Sequence, residues 1–188
     1  MRGWFLSKEL AGGGPLIDLG VHMLDLTLWL MGHPNVVSVS GSVSHHFTSQ
    51  LAQGLTADVE DLASAYLRLA NGAAVILETS WRSYSGGSDQ IFCQLVGTQG
   101  GLKIDLGGAP NTAPPIEMYF DRGETPFTAT PLIPVDTTAG YFLTEISEFV
   151  SAIQESRPPA STVEQGLEIL RILDAIYRSA ELGAEVRL

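Results

Sequence analysis

Three stretches of the chain separate on the period of their hydrophobic positions. Residues 16–31 are apolar apart from positions 18, 22, 25 and 27, and the run stops at Gly32-His33-Pro34, where Gly and Pro follow the last periodic residue. This pattern predicts a first helix. Asp18, His22, Asp25 and Trp29 are separated by steps of 4, 3 and 4, and at about 100° per residue such steps return to one face. Three ionisable groups therefore point one way from an oily helix. From residue 36 to 134 the period becomes two. Val37, Val39, Val43 and Phe47 alternate with Ser38, Ser40, Ser42 and Ser44, which predicts a strand over 36–47 with an apolar face and a small polar one. Residues 62–69 and 73–82 flank Asn71-Gly72, a dipeptide suited to the positive φ of a tight hairpin turn. Residues 90–96 and 102–106 flank Gly97-Thr98-Gln99-Gly100-Gly101, and 116–121 with 127–133 make a third pair. The last third returns to helix over 141–155 and 163–182, interrupted by Arg157-Pro158-Pro159 and closed by Gly183, a suitable C-cap.

Strands that follow one another through short turns pair antiparallel. The order helix, strands, two helices predicts an α+β fold: an open, mainly antiparallel β-sheet with helices packed on one face. Residues 106–115, rich in Gly, Pro, Ala and Asn, read as a surface loop, so 1–188 is taken as a single domain.

Composition narrows the function classes. The chain is 45% hydrophobic and 16% charged, ordinary values for a polypeptide that buries a core. It carries 10 basic against 21 acidic side chains, a net charge of −11, and its only lysines are Lys8 and Lys103. Phosphate backbones and anionic membrane surfaces need clustered cations, so neither nucleic acid nor membrane is expected as a partner. A single cysteine, Cys93, forms no intrachain disulfide and reads as a small core residue, which fits a reducing compartment. No apolar run of secretory length follows Met1 before Ser7-Lys8-Glu9, and cytoplasm is the expected location.

Several chemistries are missing from the sequence. It has no Gly-x-Gly-x-x-Gly, no Walker loop, no Gly-x-Ser-x-Gly and no His-Glu-x-x-His. Gly12-Gly13-Gly14 follows no strand pattern and reads as a flexible lead into the helix, with Pro15 in its first turn. The positive signal is Asp18-x-Gly20-x-His22-x-x-Asp25. A carboxylate four residues before a histidine on a helix can hold one tautomer or favour the protonated ring, as acid/base chemistry near neutral pH requires. The alternative is structural: Asp18 favoured near a helix N-terminus and His22 a satisfied, half-buried residue. A metal reading of the same triad lacks further ligands, because no other histidine has completing spacing; His45-His46 in a strand would point to opposite faces. Gly20 costs about 1 kcal/mol against alanine inside a helix, which asks for a close approach at that point.

The run from Gly12 to Asp25 closely resembles the signature of the Gfo/Idh/MocA oxidoreductases, the glucose-fructose oxidoreductase and inositol dehydrogenase family. Val59-Glu60-Asp61, the Asn71-Gly72 hairpin leading to Ser80-Trp81, Gly97 to Gly101, and Ala175-Ile176-Tyr177-Arg178-Ser179-Ala180 are similar to that family's C-terminal domain in order. The resemblance implies an N-terminal Rossmann domain for NAD or NADP, and a C-terminal domain that supplies part of a sugar or polyol pocket and an open sheet for homo-oligomer contacts. It implies His22 as the acid/base, Asp18 as the group that orients it, Asp25 as a substrate-hydroxyl contact or structural support, and Tyr84 as a pocket aromatic or else a core or interface one. The family's dinucleotide glycine motif and its Glu-Lys-Pro lysine have no counterpart in this sequence. The expectation is a C-terminal domain alone, which by itself neither binds cofactor tightly nor turns over. The competing expectation is a non-catalytic oligomerisation or ligand-binding module that keeps the same fold.

Overall fold

The computed structural model describes residues 3–47, 57–84, 90–107, 116–131 and 140–188, with nothing described for the side chains of 140 and 141. Its contacts gather into two units, Met1–Tyr84 with Val163–Leu188, and Ser85–Thr162.

The first unit is built on strands β1 (Val36–Ser44), β2 (Leu62–Leu69) and β3 (Ala74–Ser80), all antiparallel, with the short β8 (Val186–Arg187) on the other side of β1. The hairpin expected at Asn71-Gly72 joins β2 and β3. Gly72 alone takes a positive φ of 85°, and its N–H reaches Leu69 O at 3.0 Å while Leu69 N–H reaches Ala73 O at 2.9 Å. The loop is thus the three-residue kind that ends in a left-handed glycine. In β1 the expected alternation holds from Val39 onward, with Val39 buried and Ser40 and Ser42 exposed. It fails at the start, because Val36 faces Leu69 and Ser38 faces Arg68, which leaves Val37 as an inserted residue. One extra residue reverses the facing of what precedes it. Val37 is therefore exposed and Ser38 buried, its hydroxyl satisfied by the Glu185 carboxylate.

Helices α1 (Lys8–Ala11), α2 (Val21–Leu30) and α4 (Val163–Leu182) belong to the same unit, and a π-helical turn, Leu16–Gly20, leads into α2. The helix expected over 16–31 is thus two kinds of helix in series. It stops as its sequence indicates: Gly32 (φ 79°) and His33 turn back to Trp29 O at 3.0 Å and Leu28 O at 2.7 Å, a Schellman ending. Ile169, Ile172, Leu173 and Ile176 of α4 pack with Leu16, Leu24 and Leu28 and with Val39, Leu67 and Leu77 of the sheet. Gly41 lets α4 lie close, since a Cβ there would meet Ile176 O at 2.6 Å. The Ser179 hydroxyl accepts the Gly41 N–H at 2.8 Å and donates to Ala184 O at 2.6 Å.

The second unit holds β4 (Phe92–Val96), β5 (Gly101–Asp105), β6 (Ile116–Arg122) and β7 (Thr125–Ala129) in that spatial order, again antiparallel throughout, and α3 (Gly140–Gln154). Cys93 is buried and pairs across the ladder with Ile104. The α+β, antiparallel expectation holds, but the strands divide between two four-stranded sheets where the sequence suggested one. Part of the loop read at 106–115 lies outside the described residues. Among the described residues no helix is long and apolar enough to cross a membrane.

Candidate functional site

The expected ionisable face begins where the chain enters the π-turn. The first N–H groups of a helix have no partner within it, and burying them unpaired is costly. Here they meet a carboxylate from far along the chain. Glu60, only 3% exposed, accepts the Gly14 N–H at 2.9 Å and the Leu16 N–H at 3.0 Å; Pro15 between them has no N–H to satisfy. The Tyr177 hydroxyl of α4 donates to the same carboxylate at 2.9 Å. Burial, then the charge of Glu60, raises the Tyr177 phenol far above its ordinary range, so it is a neutral donor.

This arrangement revises the reading of Gly12-Gly13-Gly14 as a flexible lead. Only Gly12 uses a positive φ, 83°. A Cβ on Gly13 would lie 2.0 Å from the Tyr177 hydroxyl oxygen, and one on Gly14 would lie 2.0 Å from Glu60 O. The two glycines are required by contact. Gly20 has the close approach that its cost demanded, with the Thr79 methyl 3.3 Å from where a Cβ would sit. Thr79 also donates its hydroxyl to Pro15 O at 3.1 Å, which ties β3 to the start of the turn.

The π-turn alters the geometry of the Asp18–His22 spacing. Val21 N–H bonds to Leu16 O, five residues back, so Asp18 sits in the widened turn and His22 in the α-helix after it. The Asp18 carboxylate accepts the Trp81 indole N–H at 2.8 Å. No described residue hydrogen-bonds to His22, Asp18 included. His22 and Asp25 stand exposed, as does Trp29, and Asp18 is half-buried. The expected face is present; the carboxylate on it is anchored by tryptophan. Trp81 in turn packs edge-on against Phe5 at 6.4 Å, and Phe5 against Trp4 at 4.1 Å.

Tyr84 is 82% exposed and belongs to a separate group, with Phe47 edge-on at 5.8 Å and the Arg82 guanidinium over both rings. The structure records no contact between it and His22 or Asp18. β1, expected to run through the histidine pair, ends at Ser44 before His45 and His46, so the opposite-faces reading does not apply; His45 Nδ1 instead lies 3.0 Å from Val59 O. Glu60, Tyr177 and Trp81 are the contributors that the residue pattern alone did not single out. For Glu60 the one local signal is the pair of acids Glu60-Asp61 placed immediately before β2; both prove buried.

A dinucleotide phosphate would seek free N–H groups at a helix start. Those of Gly14 and Leu16 are filled by an internal carboxylate, whose charge also opposes a second anion. The glycine-rich stretch therefore does not fit a nicotinamide dinucleotide, and among the described residues no group of His, Cys, Asp or Glu could hold a metal.

Residues 2–188 match the family model described as the oxidoreductase family, C-terminal alpha/beta domain. D-glucoside 3-dehydrogenase of Escherichia coli (strain K12) is 30% identical, over 99% of this chain and 52% of that protein. The crystal structure of GenD2 from gentamicin A biosynthesis in complex with NAD is 27% identical with a TM-score of 0.74, covering 100% of this chain and 52% of that one. That of aldose-aldose oxidoreductase from Caulobacter crescentus, complexed with glycerol, is 25% identical with a TM-score of 0.77, covering 98% and 50%. The chain spans about half the length of the curated relatives it matches.

Proposed function

We propose, given that this chain belongs to the Gfo/Idh/MocA oxidoreductase family as its C-terminal alpha/beta domain, that it is the substrate-side domain of an NAD(P)-dependent oxidoreductase acting on a sugar, polyol or related hydroxyl compound. The supporting observation is that His22 stands exposed one turn beyond a carboxylate fixed in place, Asp18 on Trp81. His22 takes the proton of a substrate hydroxyl when its carbon is oxidised to a carbonyl, and returns it in the reverse direction. Asp18 acts on the imidazole through space. Asp25, on the same exposed side of α2, contacts a substrate hydroxyl, and Tyr84 lines the more distant part of the pocket. The glycine-rich stretch of this chain does not hold the cofactor; NAD or NADP, bound by a cofactor domain of the kind the longer relatives have room for, would supply the hydride acceptor. The D-glucoside and aldose substrates in the names of the relatives fit this class.

The test uses the 188-residue chain alone and joined to a family cofactor domain. Alone, it is expected to show no NAD(P)-dependent turnover of sugars or polyols, and measurable turnover would overturn the domain reading. Joined, His22→Ala lowers kcat by about 100-fold with KM little changed, the usual scale for a lost general acid/base. An unchanged kcat makes the motif structural.

A second role rests on a different surface. The outward face of β1–β3 carries Ile76 at 83% exposure, paired across the ladder with the exposed Tyr66, which pairs in turn with Ser40; Val37 and Ser42 of β1 are also exposed. An exposed, partly apolar sheet face suits a two-fold contact with a second copy. Light scattering should then give a dimer, and Ile76→Lys a monomer; a wild-type monomer throughout the micromolar range removes this role.

A further inference from the structure

We infer that Glu60, assisted by Tyr177, is a positioning residue that sets the axial position and rotation of the His22 helix; this rests on the reading of His22 as the acid/base. Three donors from two segments remote in sequence converge on one buried carboxylate: the Gly14 and Leu16 N–H groups, 46 and 44 residues away, and the Tyr177 hydroxyl, 117 away. A helix start can otherwise slide or fray, because its first N–H groups exchange partners with water. A carboxylate that accepts two of them at 2.9 and 3.0 Å fixes both the height and the rotation of the first turn. Its negative charge also lies at the positive end of the helix dipole.

The seat is too close-fitting to have formed around an ordinary chain. Gly13 and Gly14 have no room for a Cβ against Tyr177 and Glu60. On the other side of the turn, Thr79 holds Pro15 O and Trp81 holds Asp18. The π-turn is thereby fixed at its start and along its length, and His22 is the second residue of the α-helix that leaves it. The glycine-rich stretch is thus a receptor for an internal carboxylate, and its product is a fixed origin for the His22 side chain.

The experiment follows the His22 ring by NMR in the 188-residue chain, together with amide exchange at Gly14 and Leu16. Glu60→Gln replaces one acceptor by an NH2 group that faces donors. It is expected to raise exchange at both amides at least tenfold and to shift the His22 ring resonances. Tyr177→Phe, which removes one donor and no charge, should do the same to a smaller extent, and it serves if Glu60→Gln fails to fold. Val75→Ala, which weakens the sheet core, should leave the His22 signals unmoved; a shift there equal to that in Glu60→Gln would reduce Glu60 to a stability residue. Unmoved His22 signals in both folded site variants overturn the inference. If they move while His22→Ala leaves kcat of the joined protein intact, positioning stands and the catalytic reading falls.

Discussion

Alanine at Gly14 is expected to destabilise the first unit by at least about 3 kcal/mol, at the upper end of what overpacking in a close-packed interior costs. The new Cβ would lie 2.0 Å from a backbone carbonyl oxygen, Glu60 O, and 3.0 Å from both the Glu60 carbonyl carbon and Cδ. A backbone cannot rotate aside as a side chain can. Glu60 is further confined because the next residue, Asp61, hydrogen-bonds through its N–H to Ser44 O at 2.9 Å. Relief requires the helix start to lift, which breaks both of its bonds to the carboxylate. Gly12 provides the internal comparison. Nothing lies within 4 Å of its missing Cβ, so Gly12→Ala costs only the left-handed backbone penalty of roughly 1–2 kcal/mol. Trp4, Trp29 and Trp81, the chain's three tryptophans, all lie in the first unit. Urea unfolding followed by tryptophan fluorescence therefore reports on that unit alone, and a Gly14→Ala loss no larger than that of Gly12→Ala would refute the contact argument.

Truncation of Ile172 to alanine should cost about 4 kcal/mol, within the range for large-to-small changes at sites that cannot collapse. Ile172 has no exposed surface and sits mid-helix in α4, within the cluster of helix and sheet residues that makes the core of the first unit. Its neighbours are held from both sides, by the sheet and by α2, so the cavity stays open. Domain stabilities are only about 5–15 kcal/mol, so this is a large share. Leu170, two residues away and 57% exposed, is the control, and its alanine variant should unfold within about 0.5 kcal/mol of wild type. A loss below about 1 kcal/mol at Ile172 would show that the core repacks freely.

The elements that the sequence announced are those governed by local periodicity and turn chemistry. The 62–69 and 74–80 hairpin, the stop at Gly32 and the long α4 ending at Gly183 were legible because each depends on neighbours in sequence. The inserted Val37 was not, since a strand's alternation assumes constant pairing and only the partner strand reveals the extra residue. The π-turn was equally hidden. Its composition is helical, and the widening is fixed by Glu60, Thr79 and Trp81 from other parts of the chain. For the same reason the candidate face was half legible: spacing placed His22 and Asp25 on one exposed side, but could not show that Asp18 is held by an indole. The division of the strands into two sheets turns on which hairpins meet, a long-range matter on which periodicity is silent.

The first unit is interrupted in sequence, with Ser38 of β1 pairing to Arg187 of β8 across the whole second unit. During synthesis this becomes a delay. At ~5–20 residues per second the ribosome needs roughly 4–16 s to make residues 85–162, which can fold as a continuous block while β1 to β3 wait. Throughout that interval Val39, Leu67 and Leu77 lack the α4 residues that will cover them, and one edge of β1 is open. The nascent chain is then a half-finished sheet with an uncovered apolar face until residues 163–188 emerge.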